Sequence, residues 1–191
     1  MSPKVLGTSP PCASFSSLQN INQRHYTDAT RTIGDVQAMS LLDFAVPCCR
    51  WQHRSGRGFR FEHAWKATSW QREPPQALAT WDGVGAVDFD QCTMDVAGPN
   101  GQPTKKRTEL LTHIRGVLSR FSDLQCSCTT EHLCVEGSCL SISLSRYCQV
   151  YTPFLVTRSW RAPEIISTAM TWMPRLSWLR QSNECDGSPR H

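Results

Sequence analysis

Cys12 and Glu62 are two side chains of this sequence that could carry covalent and acid–base chemistry. Cys12 follows Pro10-Pro11, after a strand predicted at residues 4–6 and before a serine-rich stretch able to cap a helix. A helix N-terminus offers free N–H groups and the positive end of a dipole, which favour a reactive thiolate. The alternative is a buried cysteine in a proline turn, because free cysteines are commonly buried.

Glu62 lies at the end of a second short strand, predicted at residues 59–63 from the alternation of aromatic and polar residues. Ligand sites in open α/β sheets lie at the carboxyl ends of strands, where a carboxylic acid can act as a general acid. Because parallel strands share one carboxyl edge, Cys12 and Glu62 are expected to converge. The alternative is an ordinary surface glutamate at a strand end.

A separate cluster, Cys126, Cys128, His132 and Cys134, with Cys139 nearby, has the residue types of a zinc site. A structural zinc ion takes four nitrogen or sulfur ligands in a tetrahedron. A C-x-C pair followed by H-x-C supplies four such ligands, although it is not the usual C-x-x-C pair. Zinc would then close a loop with little apolar content; otherwise these are scattered thiols in an irregular segment.

Lys105, Lys106 and Arg107 form a short basic run that either contacts nucleic-acid phosphates or is a solvated turn. Twenty Lys and Arg against sixteen Asp and Glu leave a net charge of +4. This mild excess permits a nucleic-acid partner without requiring one.

The chain has 191 residues, enough for one domain, with 39% hydrophobic and 19% charged residues. No stretch approaches the roughly 20 apolar residues that cross a bilayer, so no membrane association is expected. The N-terminus does not resemble a secretory signal. The ten cysteines are therefore interpreted as reduced thiols in the nucleus or cytoplasm of a protein that is not secreted.

The elements that must position these residues follow from periodicity and turn signals. Residues 28–53 have helical spacing that places Ile33, Val36, Leu42, Val46 and Cys49 near one face, and Pro47 should kink or shorten this helix. A weak helix is predicted at 75–81 and a strand at 86–90; residues 108–114 form another strand or a short helix. Such alternation predicts an α/β sheet of mostly parallel strands. Gly56-Arg57-Gly58 precedes a strand, so it is a turn and not a dinucleotide loop.

Four segments resemble the cytosine-5 DNA methyltransferases, in a phage- or retroelement-borne variant, and occur in the family's order over residues 3–155. SPPCASFSSLQNIN is similar to the family's Pro-Cys loop, and GRGFRFEHAWKATSW to the strand with its catalytic Glu. The later blocks are VDFDQCTMDVAGPNGQPTKKRTELLTHI, and CSCTTEHLCVEG followed by YCQVYTPFL. The resemblance implies a partial class I methyltransferase-like (Rossmann-like) sheet at residues 1–115. An irregular Cys/His-rich segment at 116–155 and a poorly ordered tail at 156–191 follow.

The resemblance also implies site roles. Cys12 would attack carbon six of a cytosine flipped out of the duplex, and Glu62 would contact ring nitrogen three. Carbon five would then take a methyl group from S-adenosylmethionine. Lys105, Lys106 and Arg107 would lie near the base or the DNA phosphates.

Departures from the family pattern lead to further expectations. His63-Ala64 replaces an Asn-Pro or His-Pro pair, and Thr112-His113 replaces Thr-Asn. The family's cofactor-binding half precedes the Pro-Cys strand, so the chain alone is expected to be inactive, as a fragment or truncated gene model. Its first strand would be an open edge, prone to pair with the missing half or to self-associate. The alternative function is a non-enzymatic zinc- and nucleic-acid-binding module of a mobile-element protein.

Overall fold

The computed structural model describes residues 3–16, 27–99 and 101–135, and the backbone of 138–139 and 142–143. The predicted tail at 156–191, the segment YCQVYTPFL and the side chain of Cys139 lie outside the described residues. The strands are β1 (Val5–Thr8), β2 (Gly58–Ala64), β3 (Gly85–Asp90), β4 (Thr104–Lys105), β5 (Arg107–Thr112), β6 (Leu133–Cys134), β7 (Ser138–Cys139) and β8 (Ile142–Ser143). The α-helices are α1 (Asp28–Arg54), α2 (Glu73–Ala79) and α3 (Arg115–Phe121), and 3₁₀ turns span Ala13–Phe15, Thr68–Gln71 and Gln91–Met94.

The main sheet has four strands in the order β1-β2-β5-β3. β1 and β2 are parallel, with Thr8 opposite Phe61, whereas β2 and β5 are antiparallel, with Phe61 opposite Leu111. β1 lies at one edge of this sheet. The α/β class predicted from the sequence is therefore confirmed as a mixed α/β fold with a mixed sheet.

The long helix α1 supplies one side of the hydrophobic core. Leu42, Val46 and Cys49 of α1 are buried in one cluster with Phe59 and Phe61 of β2. The helix continues through Pro47 to Arg54, so the proline does not shorten it. An interior proline costs a helix roughly 3 kcal/mol, and Val46 beside it is buried in the core.

The ends of α1 follow ordinary capping rules. The Thr27 side chain accepts a hydrogen bond from the Thr30 N–H at 3.2 Å, and Asp28 begins the first turn. His53 and Arg54 occupy the last turn, where positive charge is favourable to the helix dipole. The sequence thus marks the first boundary with a capping hydrogen bond and the last with basic residues near the helix end.

The shorter strands lie where the sequence predicts them, but the bounds of the elements differ from the predicted ones. The strand predicted at 59–63 extends over Gly58–Ala64, and the segment at 108–114 is a strand that ends at Thr112. The helix α3 lies largely in a region predicted to be irregular. Its buried pair Val117 and Phe121 is a single i, i+4 contact, too short a pattern to stand out in sequence.

The chain divides into two compact units, each of them discontinuous in sequence. The first unit comprises Met1–Phe89 and Arg107–Leu124, and the second comprises Asp90–Lys106 and Gln125–His191. The chain leaves the first unit at residue 90 and returns to it at residue 107. Within the part of the chain that is described, no helix is both long and apolar enough to span a membrane.

Candidate metal centre and sheet-edge site

Four metal-ligand side chains of the second unit lie close together. The ligand atoms of Cys92, Cys126, Cys128 and His132 are all within 4.8 Å of one another, and this group is called the metal centre below. The Cys126 Sγ is 3.2 Å from the His132 Nε2. Tetrahedral zinc with bonds of about 2.0–2.3 Å holds its ligand atoms about 3.3–3.8 Å apart. The cluster could hold a metal ion after only a small contraction.

Cys92 reaches the metal centre from the 3₁₀ turn Gln91–Met94, which follows β3 directly. This turn ends at Asp95, whose φ of +59° lies in the left-handed region. The carboxylate of Asp90 accepts a hydrogen bond from the Cys126 N–H at 2.8 Å. The carboxylate therefore joins the segment carrying Cys126 and Cys128 to the turn carrying Cys92.

His132 is placed by the residues on either side of it. The Leu133 N–H donates to the Pro103 carbonyl at 2.7 Å, at the start of the parallel pairing of β4 with β6. The Gln102 amide donates to the Glu131 carbonyl at 3.1 Å. Because both neighbours of His132 are bonded to the chain around Pro103, the imidazole is held at a defined position beside Cys126.

The thiols of the metal centre differ in acidity. The Cys128 N–H donates to the Cys126 sulfur at 3.4 Å and lowers the pKa of the exposed Cys126 thiol. Burial raises the pKa of Cys92 to about 12, and the hydrogen bond with Cys126 adds to this effect. The hydrogen bond with Cys126 also raises the pKa of Cys128. Cysteine binds metals as the thiolate, so a bound metal would displace the protons of these thiols.

Cys134, predicted as the fourth ligand, is not part of the metal centre. It lies in β6 opposite Lys105, is exposed, and lines a cavity of about 410 Å³ that also contains three of the four clustered residues. Cys92 occupies the place that the sequence interpretation gave to Cys134. The available signal was the position of Cys92 two residues after a predicted strand end.

The three residues of the basic run, Lys105, Lys106 and Arg107, have different surroundings. Lys105 and Lys106 line the cavity beside His132. Arg107 instead forms an ion pair with Asp88, and its guanidinium lies 4.5 Å from the centre of the Trp65 ring. Lys105 and Lys106 therefore lie at the cavity, whereas Arg107 contacts Asp88 and Trp65.

Cys12 follows the carboxyl end of β1 by four residues, whereas Glu62, expected at a strand end, lies within β2, next to the Phe61 that pairs with Thr8 of β1. The Ser9 hydroxyl donates a hydrogen bond to the Glu62 carboxylate, so the segment that follows β1 contacts β2. Cys12 is half-buried and caps the 3₁₀ turn Ala13–Phe15, through the hydrogen bond from the Phe15 N–H to its carbonyl at 3.0 Å. The Ser9–Glu62 contact was not predicted from the sequence.

The residues after Glu62 form a buried hydrogen-bonded turn. The His63 Nδ1 and the Ser69 hydroxyl are 2.6 Å apart, and both residues are buried. The Trp70 indole N–H donates to the Ala64 carbonyl at 2.8 Å. His63 and Ala64 therefore connect Glu62 to the Ser69-Trp70 pair that follows it in the motif.

The pair Thr112-His113 also has structural contacts. The Thr112 hydroxyl donates to the Phe59 carbonyl at 2.5 Å, and the His113 ring lies 4.8 Å from that of His53, centre to centre. Burial lowers the pKa of His113, and the neighbouring His53 lowers it further. Both residues thus fix the end of β5 against the core.

No family model, curated protein or solved structure matches this chain.

Proposed function

We propose that the protein binds zinc at the metal centre and uses the ion to organise a nucleic-acid-binding surface. The observation that carries the proposal is the convergence of three cysteine sulfurs and one imidazole nitrogen within 4.8 Å. Soft thiolates and imidazole favour zinc over magnesium or calcium, which prefer oxygen ligands. Four protein ligands also leave no open position, as in structural rather than catalytic zinc sites.

The segment carrying Cys126, Cys128 and His132 explains why an ion would be needed. Residues 125–132 contain neither helix nor strand, and nearly all of them are exposed. Their side chains bury too little apolar surface to compensate for the conformational entropy of ordering them. Zinc bound to this segment and to Cys92 would supply that free energy, since metal binding contributes directly to folding in small metal sites.

Lys105 and Lys106 support the nucleic-acid part of the proposal. Both line the cavity that also contains Cys92, Cys126 and His132. Zinc held by three thiolates and one neutral imidazole carries a net charge of about −1, so the lysines, and not the metal, would attract phosphates. Lys106→Gln should weaken binding to a 20-base-pair duplex uniformly across sequences and reduce its salt dependence by about one counterion.

Metal analysis tests the zinc proposal directly. The full chain purified from zinc-containing medium should hold about one zinc ion, and Cys126→Ser should lose it because the cluster is then left with three ligands. Cys12→Ser, which removes a thiol elsewhere in the chain, is the matched control and should keep its zinc. Protein free of zinc, or equal zinc in all three proteins, would contradict the proposal.

A second candidate function is favoured by the pairing of β1 with β2, which brings the segment after β1 to Glu62. We propose that Cys12 and Glu62 act on cytosine as the resemblance to cytosine-5 DNA methyltransferases implies. The Cys12 thiolate would add to carbon six while Glu62 contacts ring nitrogen three. Support comes from the parallel pairing of the two strands and from the Ser9–Glu62 hydrogen bond. The methyl donor, S-adenosylmethionine, is implied by the resemblance alone, and the sequence contains no G-x-G-x-x-G loop.

Hydrogen exchange at carbon five of cytosine tests this second function without a methyl donor. After the thiolate adds to carbon six, carbon five takes a proton from water; loss of its original hydrogen and expulsion of the thiolate regenerate cytosine. DNA carrying tritium at that carbon should therefore release tritium to water with the wild-type chain, and not with Cys12→Ala. Cys134→Ala is the control. Absence of exchange by the wild-type chain would exclude the assignment, and methyl transfer by the chain alone is not expected.

A further inference from the structure

Helix α1 has a second apolar face, opposite the one buried in the core. Five large apolar side chains on it are exposed, by 46% for Leu41 up to 69% for Phe44. The others are Ile33, Val36 and Trp51, exposed by 59%, 60% and 54%. These five residues are called the outer face of α1 below. A helix packed on only one side normally carries polar residues on the other.

The outer face extends along most of α1, and the exposed polar residues Gln37 and Ser40 lie among its apolar side chains. At 100° per residue, Ile33, Phe44 and Trp51 fall within about 20° of one another around the helix. Ile33 and Trp51 are separated by 18 positions, or about 27 Å along the axis. The Arg57 guanidinium lies 3.9 Å from the centre of the Trp51 ring, yet leaves more than half of the residue exposed. Exposed apolar patches rimmed by polar residues mark interaction sites.

The charges beside the outer face indicate its partner. Asp43 and Arg50 are both exposed and lie on the same flank of the stripe, seven positions or about two turns apart. In an antiparallel pair of helices related by a two-fold axis, equivalent flanks face each other. A two-fold axis passing beside residues 46 and 47 would place Asp43 of each protomer opposite the partner's Arg50, which gives two equivalent pairs. A parallel pair would place the two charged flanks on opposite sides, out of contact.

We infer that the outer face of α1 binds the same face of a second copy of this chain, in an antiparallel two-fold dimer. Self-complementarity is what such an interface requires. The apolar stripe supplies burial, and two symmetric Asp43–Arg50 pairs fix the direction and register. Arg50 also lies over Trp81, with its guanidinium carbon 5.1 Å from the ring centre, which restricts the arginine before pairing. This inference is independent of both proposed functions.

Sedimentation analysis of the full chain between 1 and about 100 µM, a range typical of moderate interfaces, tests the dimer. The wild-type protein should dimerise, and Phe44→Asp should weaken the dimer about a hundredfold because it places a charge at the centre of the interface. Phe44 is exposed, so the variant should still fold, which circular dichroism would verify. A wild-type protein that is monomeric at 100 µM, or a dimer unaffected by Phe44→Asp, would overturn the inference.

Charge exchange tests the antiparallel direction separately. Asp43→Arg should weaken the dimer about tenfold, since it creates two like-charge pairs. Adding Arg50→Asp to the same chain should restore it, because the pairs are re-formed with reversed sign. Asp35→Arg makes the same substitution on α1 away from the outer face and should have no effect. Failure of the double variant to recover, or equal weakening by Asp35→Arg, would contradict the proposed arrangement.

Discussion

The two units of this protein are stabilised by different means. In the first unit, aromatic side chains of β2 and aliphatic side chains of α1 are buried in one hydrophobic core. In the second unit, residues 90–99, 101–106 and 125–135 contribute two buried apolar side chains, Met94 and Val96. What converges there is a cluster of cysteine and histidine ligands. An apolar core can stabilise the first unit, whereas our proposal assigns a bound ion the task of offsetting the conformational entropy of the second.

Metal removal should therefore produce the largest difference between the two units. A chelator should remove from the second unit the stabilisation that zinc binding supplies, about 10 kcal/mol or more in comparable small sites. Backbone amides of residues 125–135 should then exchange with solvent rapidly, while those of Phe59 and Phe61 stay protected. Hydrogen exchange followed by mass spectrometry would measure both segments in one sample. Equal protection of residues 125–135 with and without chelator would contradict this account.

Phe61→Ala should produce the corresponding loss in the first unit. Phe61 is fully buried, and truncating a core phenylalanine costs about 3–5 kcal/mol. Phe44→Ala deletes the same side chain at an exposed position and should cost less than about 0.5 kcal/mol in dilute protein. Urea unfolding monitored by tryptophan fluorescence would compare the two variants. Similar costs would show that the core is not where stability resides.

Acidification should weaken the first unit through His113. Its Nδ1 is buried without a hydrogen-bond partner among the described residues, and burial lowers its pKa below the unfolded value of 6.5. The unfolded chain therefore binds a proton at a higher pH than the native state, and stability falls as pH drops below about 6.5. Unfolding free energies measured at pH 7.5 and 5.5 should differ less in His113→Gln. An identical slope in the variant would remove His113 as the cause.

The smallest effect is expected at Arg107. Its ion pair with Asp88 is about one-third exposed on each side, so Arg107→Gln should cost no more than about 1 kcal/mol. Because Arg107 contacts Asp88 and Trp65, the variant should also leave the salt dependence of DNA binding unchanged, unlike Lys106→Gln. Titrations at several salt concentrations would compare the two. A weaker salt dependence of DNA binding by Arg107→Gln would indicate that Arg107 also contacts the nucleic acid.

The sequence predicted the first unit better than the second for a physical reason. The alternation of residues 59–63 and the spacing of Leu42, Val46 and Cys49 are local patterns that burial imposes on strands and helices. Ile33 and Val36, expected on the same helix face, are instead exposed. Cys92 lies 34 positions before Cys126, so no local spacing relates them. Cys134 was favoured because it lies two residues from His132, but proximity in sequence does not bring side chains to one point. The Ser9–Glu62 contact was missed for the same reason, since it depends on strand pairing.

Cobalt(II) titration of the Cys92→Ser and Cys134→Ser variants tests the central claim most directly. Cobalt occupies tetrahedral zinc sites and reports thiolate ligands through sulfur-to-metal charge-transfer absorption. Cys92→Ser should lose one of three thiolate contributions and bind the ion more weakly, because an alcohol is a poor replacement for a thiolate. Cys134→Ser should match the wild-type chain in both absorption and affinity. The reverse result, with Cys134→Ser impaired and Cys92→Ser unchanged, would show that the metal centre described here is not the one that binds.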